Sequence, residues 1–206
     1  MQPSNRIFSA HDSFVVDRRV RRLAELIAQI PPQSASVLDV GCGSGEVLAE
    51  ILRRRPDLAA GAQGIDILIR PNIHFPITEF DGKTIPHPDK SFDVVTLVDV
   101  LHHTEDPRIL LAEARRVARQ QVIIKDHVKE NVIDQVTLRF MDWVGNTRHG
   151  VTLPYNYLSR AEWDTVLADS GLVTRDWLTN LDVYPVPARW VFGRGLHMIA
   201  ALEPVR

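Results

Sequence analysis

The segment VLDVGCGSGEV, Val37 to Val47, constrains this 206-residue chain more than any other. The run Ser36 to Val40 reads as a short buried strand, three glycines at alternate positions follow, and Glu46 to Arg55 reads as a helix stopped by Pro56. Glycine at 41, 43 and 45 lets the backbone bend and approach a ligand closely, and the following helix offers unpaired N–H groups. A nucleotide-like ligand is the expected occupant. A dinucleotide fingerprint beginning at Gly41 would need its third glycine where Glu46 stands. A carboxylate there opposes a pyrophosphate, which makes a nicotinamide oxidoreductase the disfavoured alternative.

Around this unit the chain alternates between two periods. Val16, Val20, Leu23, Ile27 and Ile30 recur at steps of three and four, a helix ended by Pro31-Pro32, with Arg18, Arg19, Arg21 and Arg22 mostly on its other, solvated face. Gln63 to Asp66 and Ile73 to Phe80 read as strands, and the apolar run Phe92 to Val98 suits a central parallel strand. Asp106-Pro107 marks a helix start, with Arg115, Arg116 and Arg119 at its end, and Val122 to Ile124 is another strand. Strands alternating with helices predict βαβ units and a mostly parallel sheet. Beyond Lys125 come a helix over about Glu130 to Trp143, a loop rich in Gly, Asn, His, Pro and Tyr, and a helix opened by the capping box Ser159/Glu162 and closed at Ser170-Gly171. Val173 to Leu178 and Trp190 to Leu202 read as closing strands, pairing antiparallel at the sheet edge.

Length and composition bound the partners. Two hundred and six residues with 45% hydrophobic and 24% charged side chains suit one α/β domain. Twenty-four Lys and Arg face 26 Asp and Glu, a formal charge of −2 that gives no electrostatic reason to expect non-specific binding to nucleic acid or an anionic membrane. One cysteine, Cys42, excludes an intramolecular disulfide and a multi-cysteine zinc site. The first twenty residues hold no apolar run of signal type and no window approaches the length of a membrane span, so a cytoplasmic protein is expected.

Asp66, in GID at a second strand end 21 residues after Gly45, is placed to accept both hydroxyls of a ribose; a helix or turn cap is the structural alternative. VLDVGCGSG, GID, FDGKTIPHPDKSFDVV, LHHTEDP and EARRV together resemble, in order and spacing, the class I S-adenosylmethionine-dependent methyltransferases, particularly the ubiquinone and menaquinone biosynthesis type. The match covers about residues 36 to 125. It implies a Rossmann-like, seven-stranded sheet with helices on both faces, parallel strands in the order 3-2-1-4-5 and the last two added as 7-6. It also implies four regions: a helical lid (1–35, with Phe8, His11 and Phe14 as lid candidates), a cofactor half (36–127), an acceptor-side insertion (128–172) and closing strands (173–206). In the resembling family Asp39, Gly41, Cys42, Gly43 and Gly45 surround the methionine part and ribose of S-adenosylmethionine, and Asp66 with Ile67 takes the ribose. Asp81 and Gly82 lie by the adenine, and Val98 and Asp99 border the methionine and the acceptor. One departure is visible: ILIRPNIHFPITEF, between Asp66 and Asp81, is too short and proline-rich for the usual helix, so a turn at Arg70-Pro71 and a more open adenine pocket are expected.

Methyl transfer by in-line displacement needs alignment, exclusion of water and, for O–H or N–H acceptors, a base. Candidates lie beyond the fourth and fifth strands: Asp99 with His102 and His103, and Lys125-Asp126-His127. Histidine, ordinarily titrating near ~6.5, suits a proton acceptor, and Asp126 an orienting carboxylate. Packing or helix capping is the alternative for any single histidine. These histidines with Asp99 and Asp126 show no defined metal-ligand spacing, so no metal is expected. Trp143, Asn146, Arg148, His149, Tyr155, Asn156 and Tyr157 read as an acceptor wall, with Arg148 suited to a carboxylate or phosphate and the tyrosines to a ring; a structural corner is the alternative. The acceptor is expected to be a small molecule and not a nucleic acid, because LHHT replaces the Asn/Asp-Pro-Pro-aromatic tetrapeptide of amino-methylating nucleic-acid enzymes. A member of the fold that binds the cofactor without transferring its methyl group is the principal alternative.

Overall fold

The computed structural model describes residues 17–146 and 155–205. Among these, seven strands form one sheet: β1 (Val37–Val40), β2 (Ala62–Asp66), β3 (Ile77–Glu79), β4 (Phe92–Val98), β5 (Ala118–His127), β6 (Leu172–Leu178) and β7 (His197–Pro204). Their order is β3-β2-β1-β4-β5-β7-β6, with β7 antiparallel to both neighbours and every other pairing parallel. This is the expected 3-2-1-4-5-7-6 arrangement. The helices are α1 (residues 17–27), α2 (Glu46–Arg54), α3 (Pro107–Val117), α4 (Val132–Asn146), α5 (Arg160–Asp169) and the short α6 (Ala188–Phe192). None of them is long and apolar enough to cross a membrane.

Alternation along the strands explains the three layers. Val37, Val94, Ile123 and Ile199 point into a layer with Leu23 and Ile27 of α1 and Leu48 and Ile51 of α2. Leu38, Val95, Ile124 and Leu202 point the other way, onto Leu111 and Ala114 of α3 and Trp163 and Leu167 of α5. Strands covered on both faces are apolar on both faces, which is why FDVVTLV shows no polar alternation. Each such side chain stabilises the fold by about 1.5–3 kcal/mol on burial. Asp106 accepts from the Arg108 N–H at the start of α3, and Ser159 with Glu162 closes the expected capping box on α5.

Three expectations change. The strand expected over Ile73 to Phe80 shrinks to Ile77–Glu79, because the preceding residues fold back onto the glycine turn. β5 begins at Ala118 directly after α3 and runs ten residues, so Lys125, Asp126 and His127 lie within the strand and not in a loop after it. Pairing with β7 holds them there: Lys125 opposite Ile199, Asp126 opposite Met198, His127 opposite His197. The last strand starts at His197, because Trp190 belongs to α6 and Gly193 and Gly195 separate the two elements.

Candidate active site

The glycine turn is left-handed at all three glycines. Gly41, Gly43 and Gly45 have φ of 69°, 63° and 80°, the left-handed region that side chains disfavour. At Gly41 space is also missing, since a Cβ would lie 2.6 Å from a methyl of Val100, the residue after Asp99. The Asp66 carboxylate accepts from the N–H of Gly43 at 2.7 Å and of Leu68 at 3.0 Å, tying the turn to the end of β2. Asp39 is buried beneath the turn and accepts from the Thr96 hydroxyl at 2.6 Å; burial pushes its carboxyl up to about 7 despite that bond. Cys42 is half-buried against β2, where a Cβ on Gly64 would lie 2.9 Å from its sulfur, and burial keeps it a thiol.

The chain between β2 and β3 contains no helix, as expected, but it is not set aside from the pocket. His74 N–H donates to the Ser44 carbonyl at 2.8 Å, Phe75 packs beside Gly45, and the Arg70 guanidinium lies over Gly43. The expected opening is thus partly filled by these side chains. Ile67 is 57% exposed and a Cβ on Gly82 would meet its methyl at 2.9 Å, so an apolar rim stands beside Asp66. Asp81 spends its carboxylate on the N–H groups of Lys83 and Thr84, which hold it below the usual range. A turn cradle shaped by glycine, a carboxylate at the second strand end and an apolar rim fit the adenosine and amino-acid parts of S-adenosylmethionine.

Beyond β4 and β5 the structure brings together the second group of predicted residues. His102 and His103 sit on a one-turn 3-10 helix, Leu101–His103. Asp126 anchors that turn: it accepts from the N–H of Leu101 at 3.0 Å, and its Oδ1 lies 2.7 Å from His102 Nδ1. On the other side of His102, Nε2 is 3.6 Å from Asp142 of α4, which accepts from the Tyr157 hydroxyl. Burial opposes a charge on His102, but Asp126 and Asp142 outweigh it and raise its affinity for a proton, while Asp126 falls well below the carboxylate range. The two carboxylates thus favour the imidazolium form of His102. His103, stacked on it at 3.9 Å between ring centres, is pushed down to about 4 by burial and by its charged neighbour.

Asp99 stands at the hub of the remaining charges. Its backbone is left-handed, φ 57°, and its carboxylate bonds both Arg19 of α1 and Lys125 of β5. Burial alone would raise Asp99, but the two cations hold it well below the carboxylate range. Lys125 also lies 3.3 Å from His197 Nδ1. His127 sits between the two carboxylates, with Nδ1 3.4 Å from Asp126 and Nε2 3.8 Å from Asp99, and burial beside Lys125 keeps it neutral. Asp99, His102 and His127 present ligand atoms within 4.8 Å of one another, yet Arg19 and Lys125 already neutralise Asp99 and Asp126 holds His102. A divalent cation there would face two resident cations.

Several placements differ from expectation. Arg19 is drawn onto Asp99 instead of lying on a solvated face, and Arg22 donates to the Leu181 carbonyl. Tyr157 is 2% exposed, its hydroxyl satisfied by Asp142, so it belongs to the buried network and not to an open wall. Tyr155 is half-buried beneath the Arg139 guanidinium at 4.9 Å, and Asn156 donates to the carbonyls of Thr104 and Glu105. Trp143 is 58% exposed. Phe8, His11, Phe14, Arg148 and His149 lie outside the described residues, as does the Asn146 side chain. Arg19, Asp142 and His197 were not singled out; the signal for His197 was a lone histidine opening an otherwise apolar strand.

A family model described as a methyltransferase domain matches residues 12–176. An uncharacterized methyltransferase of Mycobacterium tuberculosis is 37% identical over 94 residues, covering 43% of this chain and 48% of that protein. The ubiquinone/menaquinone biosynthesis C-methyltransferase UbiE of Cupriavidus taiwanensis is 30% identical over 105 residues, 48% of this chain and 43% of that protein. The alignments thus span less than half the length of these curated relatives. Among solved structures, a SAM-dependent methyltransferase from Aquifex aeolicus superposes with a TM-score of 0.59 at 18% identity, covering 89% of each chain. With most of its length matched by the family model, the chain belongs to the methyltransferase-domain family, and the superposition shows that it shares the fold of S-adenosylmethionine-dependent methyltransferases.

Proposed function

We propose that this methyltransferase moves the methyl group of S-adenosylmethionine to a small-molecule acceptor, with His127 taking the acceptor's proton. One observation carries the reading. The polar groups at the ends of β4 and β5 are withdrawn from solvent, with His102 2%, Lys125 1%, Asp126 1% and His127 5% exposed, and they adjoin the glycine turn through Val100. A site withdrawn from solvent favours an acceptor small enough to be enclosed over a group displayed on a polymer surface. The curated UbiE relatives, named for C-methylation in quinone biosynthesis, support a small acceptor.

When bound, S-adenosylmethionine supplies an electrophilic methyl group on sulfur. The chain's residues would do the rest. Asp66 and the turn at Gly41 to Gly45 hold the ribose and amino-acid ends, and Asp39 lies beneath them. His102 is clamped between Asp126 and Asp142, whose charges favour its protonated form, and this suits it to hold a positive charge better than to act as a base. His127 is neutral, and a proton gained from an acceptor hydroxyl or amine would be shared with Asp126 and Asp99, 3.4 and 3.8 Å away. Arg19 and Lys125 keep Asp99 ionised for that purpose.

The test is incubation with S-adenosylmethionine labelled in its methyl group, offered hydroxylated and quinol-type metabolites in parallel with RNA, DNA and protein. Label in a small-molecule fraction, lowered by about 10²-fold or more in His127→Ala, is expected. Label entering only macromolecules would refute the acceptor class.

A further inference from the structure

Between β2 and β3 the chain forms no helix, and the turn in its place holds a cation over the glycine cradle. Asp66 accepts from the Leu68 N–H two residues on, which bends the chain back directly after β2. Further along, the His74 N–H donates to the Ser44 carbonyl at 2.8 Å and Phe75 packs beside Gly45. Pro71 follows Arg70 and restricts its backbone. The segment is thus tied at both ends, and Arg70 lies between the ties.

A Cβ on Gly43 would lie 3.5 Å from the Arg70 Cζ and 3.6 and 3.7 Å from its two terminal nitrogens. With Cζ nearest and both nitrogens almost as close, the guanidinium turns its flat face to the glycine and not its edge. Among the described residues Arg70 makes no hydrogen bond or ion pair, although it is partly buried. Both oxygens of the neighbouring Asp66 carboxylate already accept backbone N–H groups. One face of the guanidinium is spent on packing, and the opposite face is left for a ligand.

The sheet order sets what that face meets. β2 lies between β3 and β1. Beyond the end of β2, Ile67 reaches toward β3, against Gly82, and Arg70 reaches toward β1, over Gly43, with Asp66 between them. A ligand with its ribose hydroxyls on Asp66 is bracketed by an aliphatic side chain on one side and a planar cation on the other. Guanidinium faces are weakly hydrated and stack on aromatic rings, which suits a purine; a lysine ammonium has no such plane. The cofactor's carboxylate is the other group that could attract Arg70, but Gly43 is bonded to the ribose acid, and this sets Arg70 at the adenosine end.

We propose that Arg70 is a specificity residue for the cofactor, closing the adenosine part of the site with the open face of its guanidinium. The proposal rests on S-adenosylmethionine as the cofactor and Asp66 as the ribose partner, and is independent of the acceptor.

The test titrates the full chain calorimetrically with S-adenosylhomocysteine and with 5′-methylthioadenosine, which keeps the adenosine and sulfur but lacks the amino-acid arm. Arg70→Ala should weaken both ligands by a similar factor, about tenfold, and Arg70→Lys should weaken both nearly as much, because it keeps the charge without the plane. Circular dichroism checks the fold of each variant, and Arg70→Lys carries the test if Arg70→Ala does not fold. Unchanged affinities in Arg70→Ala, or wild-type affinities in Arg70→Lys, overturn the proposal. So does a loss confined to S-adenosylhomocysteine, which would assign Arg70 to the cofactor's carboxylate. Those outcomes leave the cofactor site standing, whereas a wild type that binds neither ligand overturns the site and the proposal together.

Discussion

His102 Nδ1 lies 2.7 Å from Asp126 Oδ1, with the two residues 2% and 1% exposed. Asp126 also accepts from the backbone of Leu101 and His127, so one carboxylate joins the turn after β4 to the end of β5. Removing half of a buried pair leaves an uncompensated charge, and Asp126→Asn should cost about 3–5 kcal/mol. The pH dependence has two arms. His102 is raised, so its stabilisation is complete below its unfolded value and fades as pH rises through the folded one; Asp126 is depressed, so its share fades as pH falls below its unfolded value. Urea midpoints of wild type and variant should differ most between these arms and converge at acid pH. A constant difference from pH 3 to 9 would contradict the ion pair.

Asp39 gives the opposite acid behaviour. Its folded value near 7 lies above the unfolded one, so wild-type stability should fall by up to about 1.4 kcal/mol per pH unit as the unfolded chain ionises first, levelling above about 7. Asp39→Asn does not ionise. Its stability relative to wild type should therefore climb between pH 4 and 7, by at most about 4 kcal/mol. Parallel thermal-midpoint curves for the two proteins would show that Asp39 is already ionised in the folded state.

At Gly41 two penalties coincide, the left-handed backbone and the contact with Val100. Gly41→Ala should cost about 1–2 kcal/mol for the backbone and about 1–3 for the overlap. Val100→Ala removes the overlap alone. The double variant should accordingly be more stable than the sum of the single effects by about 1 kcal/mol or more in a denaturation cycle. Strict additivity would mean that the turn relaxes away from Val100.

Alternating strands and helices made a mostly parallel sheet legible from the residues, whereas the strand order came only with the family resemblance carried by the motifs around Asp39, Asp66 and Val98, which lie at or next to the ends of β1, β2 and β4. The transfer side was legible only as residue types. Lys125-Asp126-His127 read as a loop since three ionisable residues are poor strand formers by composition; they are strand because β7 pairs with them and because Asp99 and His102 supply their partners. Those partners lie 24 to 26 residues away in sequence. Arg19 likewise reads as surface from its helical position, and only the meeting of α1 with the end of β4 shows its carboxylate. No local pattern could place Asp142 against His102, because that contact depends on how α4 docks.

The most direct measurement is calorimetric titration with S-adenosylhomocysteine of wild type, Asp66→Ala and His127→Ala. Wild type should bind with a dissociation constant on the order of micromolar, Asp66→Ala at least about tenfold more weakly, and His127→Ala as wild type, as the proposed role of His127 toward the acceptor requires. Absence of binding to wild type, or affinity unchanged in Asp66→Ala, would contradict the assignment of the glycine turn and the end of β2 as the cofactor site.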